Sequence, residues 1–366
     1  MDTDPRPVVL TGANGAGKTN LLEAVSFLVP GRGLRRARLG EVARRDGEAE
    51  DDPRPWAVAA TVTTPTATVD IGTGHEPGAA TGGRDRRVVR IDGQPAKSQA
   101  ALADHVTAVW LTPQMDRLFA EGASARRRFL DRLVFGFDPA HAGRVSAYEH
   151  AMRERARLLR DGGADGAWLA ALEDTMATKG VAVAAARREL AVRLNGICAD
   201  PPGPFPGARV EAAGAVEEWL AEVPALAAED RLRDGLAAAR VRDGEFGGAV
   251  LGPHRSDMHV NHLAKGVAAA RCSTGEQKAL LVAMVLANAR LQAAERGSVP
   301  LLLLDEVAAH LDGHRREALF EEVSALGAQA WLTGTDSALF ASLGKRAQFF
   351  HVEDATVVAV DRSGAS

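Results

Sequence analysis

Residues 8–19 read Val8-Val9-Leu10-Thr11-Gly12-Ala13-Asn14-Gly15-Ala16-Gly17-Lys18-Thr19. A short apolar run enters a glycine-rich turn. It leaves into a stretch where Leu21, Leu22, Val25 and Leu28 recur at helical spacing. Strand, glycine loop and helix in that order make a phosphate cradle. The glycines let backbone N–H groups turn inward around phosphate oxygens. Lys18 supplies a point charge to the β- and γ-oxygens, and the Thr19 hydroxyl suits Mg2+. The nucleotide-contacting set read from this stretch is Gly12, Ala13, Asn14, Gly15, Ala16, Gly17, Lys18, Thr19 and Asn20. A nucleoside triphosphate with Mg2+ is therefore the expected ligand.

A phosphate loop needs a carboxylate beside it. Leu301-Leu302-Leu303-Leu304 reads as a buried parallel strand, and it delivers Asp305-Glu306 at its C-terminal end. Asp305 is the expected Mg2+ partner together with Thr19. Glu306 is the expected general base, so Glu306, Asp305 and Lys18 form the catalytic set. An acidic pair at a helix N-terminus is the alternative reading of the two carboxylates.

Ser273-Thr274-Gly275-Glu276-Gln277-Lys278 opens a further helix, 32 residues before Asp305. Ser, Gly and a helix start make an anion-binding end. In a head-to-tail dimer it would cap a phosphate bound by the other copy. Ser273 with Glu276 three residues later is equally a capping box.

Around these motifs the texture changes twice. Residues 47–98 alternate at 56–63, 67–72 and 86–91, with Asp92-Gly93 as a hairpin turn and a polar connection at 73–85. They predict a small antiparallel sheet. From Pro139 two long helical patterns follow, of about 20 and 28 residues, separated at Asp161-Gly162-Gly163. Residues 211–240 read as Ala-rich helix. The last third returns to α/β texture, with helices over 276–296 and 313–326 and strands over 300–304 and 329–333. The expected division is a head segment 1–135, a helical lobe 136–244 and a second head segment 245–366.

The chain has 366 residues and a formal net charge of −4. The total argues against a protein that coats nucleic acid nonspecifically, but local basic surfaces remain. Arg32, Arg35, Arg36, Arg38, Arg44 and Arg45 stand against Glu41 alone, and Arg126, Arg127 and Arg128 are consecutive. Phosphate backbones need such local density. Solvated helix surface with an arginine-rich codon bias is the alternative. With one Tyr, a base-stacking platform is not apparent, so duplex backbone recognition fits better. Two cysteines, Cys198 and Cys272, exclude a disulfide scaffold. No apolar run is long enough to span a membrane, and the acidic N-terminus is not a secretory signal. The expected location is the cytoplasm.

Together these stretches resemble the ABC-type ATPase heads of the SMC and RecF group, and within it the RecF family of bacterial recombination and repair proteins. The resemblance is carried by Gly17 to Ala24, Gly31-Arg32 with Arg35-Arg36, and Ser124 to Asp131. It continues through Gly252-Pro253-His254-Arg255-Ser256-Asp257, the Ser273 signature, Leu302 to Asp312, and Thr333-Gly334-Thr335-Asp336. It covers nearly the whole chain in order. It implies an α/β, ABC-type P-loop ATPase head, a mixed sheet flanked by helices plus a small antiparallel sheet, with a short α-helical second lobe. It also implies ATP as the nucleotide bound with Mg2+.

The resemblance also implies that Gln114 senses Mg2+ and the γ-phosphate, although a turn residue would read the same way. Ser273, Gly275 and Gln277 would meet the other copy's nucleotide, and Asp312 would reach across the dimer. Thr335 would lie near the place of a switch histidine. His254 and Arg255 match a family motif that serves either loop packing or nucleotide or DNA contact. The implied function is ATP-dependent DNA binding in recombinational repair and replication restart, with the SOS response. It implies weak DNA-stimulated ATPase activity, binding at gaps and single/double-strand junctions, and RecO and RecR as partners. A regulatory ATP-binding scaffold with negligible turnover, or a transporter ATPase subunit, are the rival readings. Family members usually begin with an extra strand pair, and only nine residues precede Leu10 here. A late start site or a truncated head with an exposed sheet edge is therefore expected.

Overall fold

The computed structural model describes residues 1–43, 55–64, 67–78, 85–162 and 165–360. Arg44, Arg45 and part of the predicted 73–85 connection lie outside them. The chain divides into two compact units, Met1–Met115 with Gln292–Ser366, and Asp116–Leu291. The sequence reading cuts the chain instead at 135 and 244.

The first unit opens with β1 (Val8–Thr11), all four residues buried, and α1 (Lys18–Ser26). β2 (Trp56–Thr63), β3 (Thr68–Glu76), β4 (Arg86–Ile91) and β5 (Gln94–Pro95) then form an antiparallel sheet in that order. The Asp92-Gly93 turn has φ of 49° and 75°, the type I′ geometry that matches strand twist. β3 runs four residues past its predicted end, because Gly72 to His75 are paired on both sides. β6 (Ala108–Leu111) closes this segment.

The second unit is the inserted stretch. It contains α2 (Ala123–Phe135), α3 (His141–Asp161) and α4 (Gly166–Cys198). α3 and α4 are the two long helices expected, 21 and 33 residues long. Asp165 caps α4 by accepting the Ala167 N–H at 2.9 Å. β7 (Ala208–Ala213), α5 (Ala215–Glu222), α6 (Ala225–Ala238) and α7 (Arg240–Phe246) follow. β8 (Asp257–His262), β9 (Val267–Ala268) and α8 (Thr274–Arg296) complete the run, the residues of α8 from Gln292 on belonging to the first unit.

β7, β8 and β9 form a three-stranded antiparallel sheet that the sequence reading did not anticipate. Residues 211–213, read as helix, belong to β7. Their alternation puts Ala208, Val210 and Ala212 inside and Arg209 and Glu211 outside, and the cross-strand partner β8 decides the matter.

Back in the first unit come β10 (Leu301–Leu304), α9 (Gly313–Leu326), β11 (Ala330–Gly334), β12 (Gln348–Glu353) and β13 (Thr356–Ala359). The main sheet runs β13-β12-β1-β11-β10-β6. β6, β10, β11, β1 and β12 are parallel, and β13 is an antiparallel edge. Buried strands explain the unbroken apolar runs. Leu10, Leu22, Leu303, Trp331 and Phe350 meet in one core beneath the glycine loop.

Candidate nucleotide-binding site

The glycine loop lies at the C-terminal end of β1, where open parallel sheets bind ligands. Two of its glycines are required by the backbone. A Cβ at Gly12 would fall 2.1 Å from the Val352 carbonyl oxygen of β12. Gly17 stands at the N-cap of α1 with φ of 107°. The tip of the β12–β13 hairpin seats on the same loop, with the Ala355 N–H donating to the Ala16 carbonyl at 3.1 Å. The turn residues Asp354 and Ala355 both have left-handed backbones, φ 46° and 57°.

Lys18 is buried, and its ammonium donates to the carbonyls of Gly12 at 2.7 Å and Ala13 at 2.8 Å. The charge is thus held across the mouth of the loop. Thr19 Oγ1 lies 3.1 Å from both carboxylate oxygens of Asp305. One carboxylate and one hydroxyl are hard oxygen donors, and Mg2+ characteristically takes one or two carboxylates plus substrate phosphates. The residues present therefore fit that ion. Among the described residues no cluster of three or more His, Cys, Asp or Glu offers a rival metal cage.

Asp305 is buried at the end of β10, and its N–H donates to the Leu111 carbonyl at 2.9 Å. Glu306 follows with a left-handed backbone, φ 54°, which costs a non-glycine residue about 1–3 kcal/mol. Thr333 of β11 supports both. Its hydroxyl donates to Asp305 Oδ1 at 2.8 Å and accepts the Glu306 N–H at 2.9 Å. Sequence reasoning used the Thr333 stretch only as a resemblance. The signal for its role is the sheet order, which sets β11 between β1 and β10.

Gln114 is exposed on a single 3-10 turn, Pro113–Arg117, just after β6. Asn20 is exposed on α1, where its Oδ1 accepts from Arg35. Asp312 caps α9 by accepting the Arg315 N–H at 2.9 Å, and that bond first, then the Arg315 charge, holds its carboxyl below the usual range.

Ser273, Gly275 and Gln277 belong to the other unit. The capping box is present there: Glu276 Oε2 accepts the Ser273 N–H at 3.1 Å, and Ser273 Oγ accepts the Glu276 N–H at 3.4 Å. Lys265 also binds Glu276, and its hydrogen bond leads in pulling that carboxyl down to about 2. Gln277 is buried and donates to the Cys272 carbonyl at 3.0 Å, so it secures the turn entering α8.

The arginines divide sharply. Arg32, Arg35 and Arg36 are exposed on the segment after α1. That segment is moored to α1, because Glu23 Oε2 accepts the Arg35 N–H at 2.9 Å and Ser26 Oγ accepts the Leu34 N–H at 2.8 Å. Burial pushes the Glu23 carboxyl up. Arg126, by contrast, makes a two-pronged ion pair with Asp257 at 2.7 Å on each prong. Arg127 donates to the Ser256 carbonyl at 2.6 Å, and burial lowers its pKa. Arg128 is exposed beside Ser124.

The segment 252–257 is therefore clamped from α2. Arg187 of α4 completes the clamp, donating to Pro253 O at 2.7 Å and to both oxygens of Asp131 at 2.7 and 2.8 Å. His141 Nε2 lies 2.8 Å from the same carboxylate. Burial pushes the Asp131 carboxyl up, but Arg187 and His141 outweigh it and bring it to about 2. His254 Nε2 faces the Ala249 carbonyl at 2.9 Å and Nδ1 faces the Tyr148 hydroxyl at 2.6 Å. A carbonyl demands a donor, so Nε2 carries the proton and Nδ1 accepts. Burial lowers the His254 pKa. Arg255 binds the same Ala249 carbonyl at 3.0 Å. Both residues thus brace the loop at Ala249, His254 half-buried and Arg255 exposed.

The model for the RecF/RecN/SMC N terminal domain matches residues 1–357. The chain is 51% identical over 360 residues to the DNA replication and repair protein RecF of Mesorhizobium japonicum, covering 98% of this chain and 93% of that one. It is 48% identical to the protein of the same name from Rhizobium etli, covering 98% and 94%. Its fold is that of a solved structure described as the recombination mediator protein RecF-ATPrS in the RecFOR pathway. The TM-score is 0.81 at 21% identity, over 99% of this chain and 94% of that one. From the glycine loop of β1 to the carboxylates of β10, and along almost its whole length, the chain belongs to the RecF family, with the ABC-type ATPase head fold of the SMC group.

Proposed function

We propose that the chain is an ATP-dependent DNA-binding protein of recombinational repair and replication restart. The observation that carries the reading is Thr19 meeting both oxygens of Asp305 at 3.1 Å, with Glu306 as the next residue. ATP binds the glycine loop, and Lys18 neutralises charge on its β- and γ-oxygens. Thr19 and Asp305 would hold Mg2+, which would supply positive charge against the charge that develops on the phosphates. Glu306 accepts the proton of the attacking water, and Gln114 senses Mg2+ and the γ-phosphate.

Two copies close over two ATP molecules, and Ser273 and Gly275 of each copy meet the phosphates on the other. Gln277 holds the turn that presents them. DNA stabilises the closed dimer and hydrolysis reopens it, so ATP acts as a timer through a population shift. Arg32, Arg35, Arg36 and Arg128 contact the DNA backbone, and Arg126 and Arg127 hold the segment from which Arg128 projects. The outcome is recombinase loading at gaps and single/double-strand junctions, with RecO and RecR as partners, and support of the SOS response.

ATP turnover and dimerisation measured without DNA, with duplex and with gapped duplex test this. Lys18→Ala abolishes ATP binding, while Glu306→Gln keeps binding and traps an ATP-bound dimer. If DNA changes neither turnover nor dimerisation of the wild type, the repair mechanism is wrong.

A further inference from the structure

We propose that Thr333 is a positioning residue for ATP hydrolysis: it aligns Asp305 toward Thr19 and holds Glu306 in its left-handed backbone. The proposal rests on the hydrolysis reading above, but its test separates the two. Thr333 is buried and lies on β11, between the strand of the glycine loop and the strand of the carboxylates. Its one hydroxyl is used in both directions. The O–H donates to Asp305 Oδ1 at 2.8 Å, and an oxygen lone pair accepts the Glu306 N–H at 2.9 Å.

These bonds have separate effects. Asp305 also faces Thr19 through both oxygens. A second donor fixed on Oδ1, which Thr19 also contacts, restrains rotation of the carboxylate about its Cβ–Cγ bond. Glu306 has φ of 54°, a conformation that persists only when neighbours hold it. The hydroxyl of Thr333 is the acceptor for the N–H of that residue. Without it, the turn after β10 is free to relax, and relaxation moves the Glu306 carboxylate away from the glycine loop. A displacement of about 1 Å at a reacting group costs about a hundred-fold in rate.

The test uses the full chain with Thr333→Val, which keeps the shape and loses the hydroxyl, and Thr333→Ser, which keeps the hydroxyl and loses the methyl. Three quantities are read: kcat and KM for ATP, the Mg2+ midpoint for binding a fluorescent ATP analogue, and the melting temperature. The expected result for Thr333→Val is a kcat lowered about ten- to a hundred-fold, with KM for ATP unchanged and the Mg2+ midpoint raised several-fold. Thr333→Ser restores kcat and the midpoint. The proposal is overturned if Thr333→Val matches the wild type in both, or if Thr333→Ser fails as fully as Thr333→Val. Should Thr333→Val not fold, Thr333→Ala replaces it against the same Ser control. If the wild type and Glu306→Gln hydrolyse ATP equally, the hydrolysis reading falls. The Mg2+ midpoint then decides the role of Thr333: a shift reversed by Ser supports it, and no shift overturns it.

Discussion

Gly12 and Gly275 both stand in stretches proposed to meet ATP phosphates, yet their surroundings differ. At Gly12 a Cβ would collide with the Val352 carbonyl oxygen at 2.1 Å, and backbone cannot yield that far. Gly12→Ala is expected to abolish ATP binding in calorimetry and to destabilise the chain. At Gly275, among the described residues, nothing beyond its chain neighbours and own helix backbone lies within 4 Å of an added Cβ. Gly275→Ala is therefore expected to melt like the wild type and to bind ATP normally as a monomer. A loss of ATP-dependent dimerisation in that variant, read by light scattering, would report the other copy's nucleotide pressing on this position. The residues legible in the sequence were those whose chemistry is local: Lys18, Thr19, Asp305 and Glu306 stand in contiguous motifs. Thr333 was not legible as a support. Its partners Asp305 and Glu306 are 28 and 27 residues away in the chain, and only strand pairing brings it to them.

Among the elements, α2, α3 and α4 converge on Asp131. Its carboxylate is shared by Arg187 and His141, both buried. Breaking one side of a buried ion pair leaves an uncompensated charge, worth about 3–5 kcal/mol. Asp131→Asn is expected to lower unfolding stability by about 3 kcal/mol in urea titrations, with ATP affinity retained. The pH dependence follows from the depressed carboxyl, at about 2 against an unfolded value near ~3.9. The contribution is complete above about pH 4 and disappears as pH falls toward about 2. Asp131→Asn should therefore flatten the acid limb of the stability curve. This clamp also explains why the arginine run misled as a set. Three consecutive arginines read as one basic patch, but the helix turns about 100° per residue. Arg126 and Arg127 thus face Asp257 and Ser256, about 130 residues on in the chain, while Arg128 faces water. The β7–β8–β9 sheet was illegible for a related reason. Ala-rich alternation over six residues is ambiguous until its partner strand is known.

At the scale of the whole molecule, the ATPase fold was legible because its two motifs sit on apolar strands at opposite ends of the sequence. The division of the chain was less so. Helical texture begins well before the long helices, and α2 clusters with them rather than with the sheet that precedes it. Among the described residues, no helix is long and apolar enough to cross a membrane. The strands that flank β1 are β11 and β12, both drawn from the last tenth or so of the chain. A chain ending at Arg346 would lack β12 and β13. It is expected to show no ATP binding by calorimetry, despite an intact glycine loop sequence. During synthesis the glycine loop is made more than three hundred residues before both neighbours of β1. Apolar β1 must wait without those two strands while the intervening residues are added. The interval in which β1 lacks its partners is the interval in which aggregation is expected.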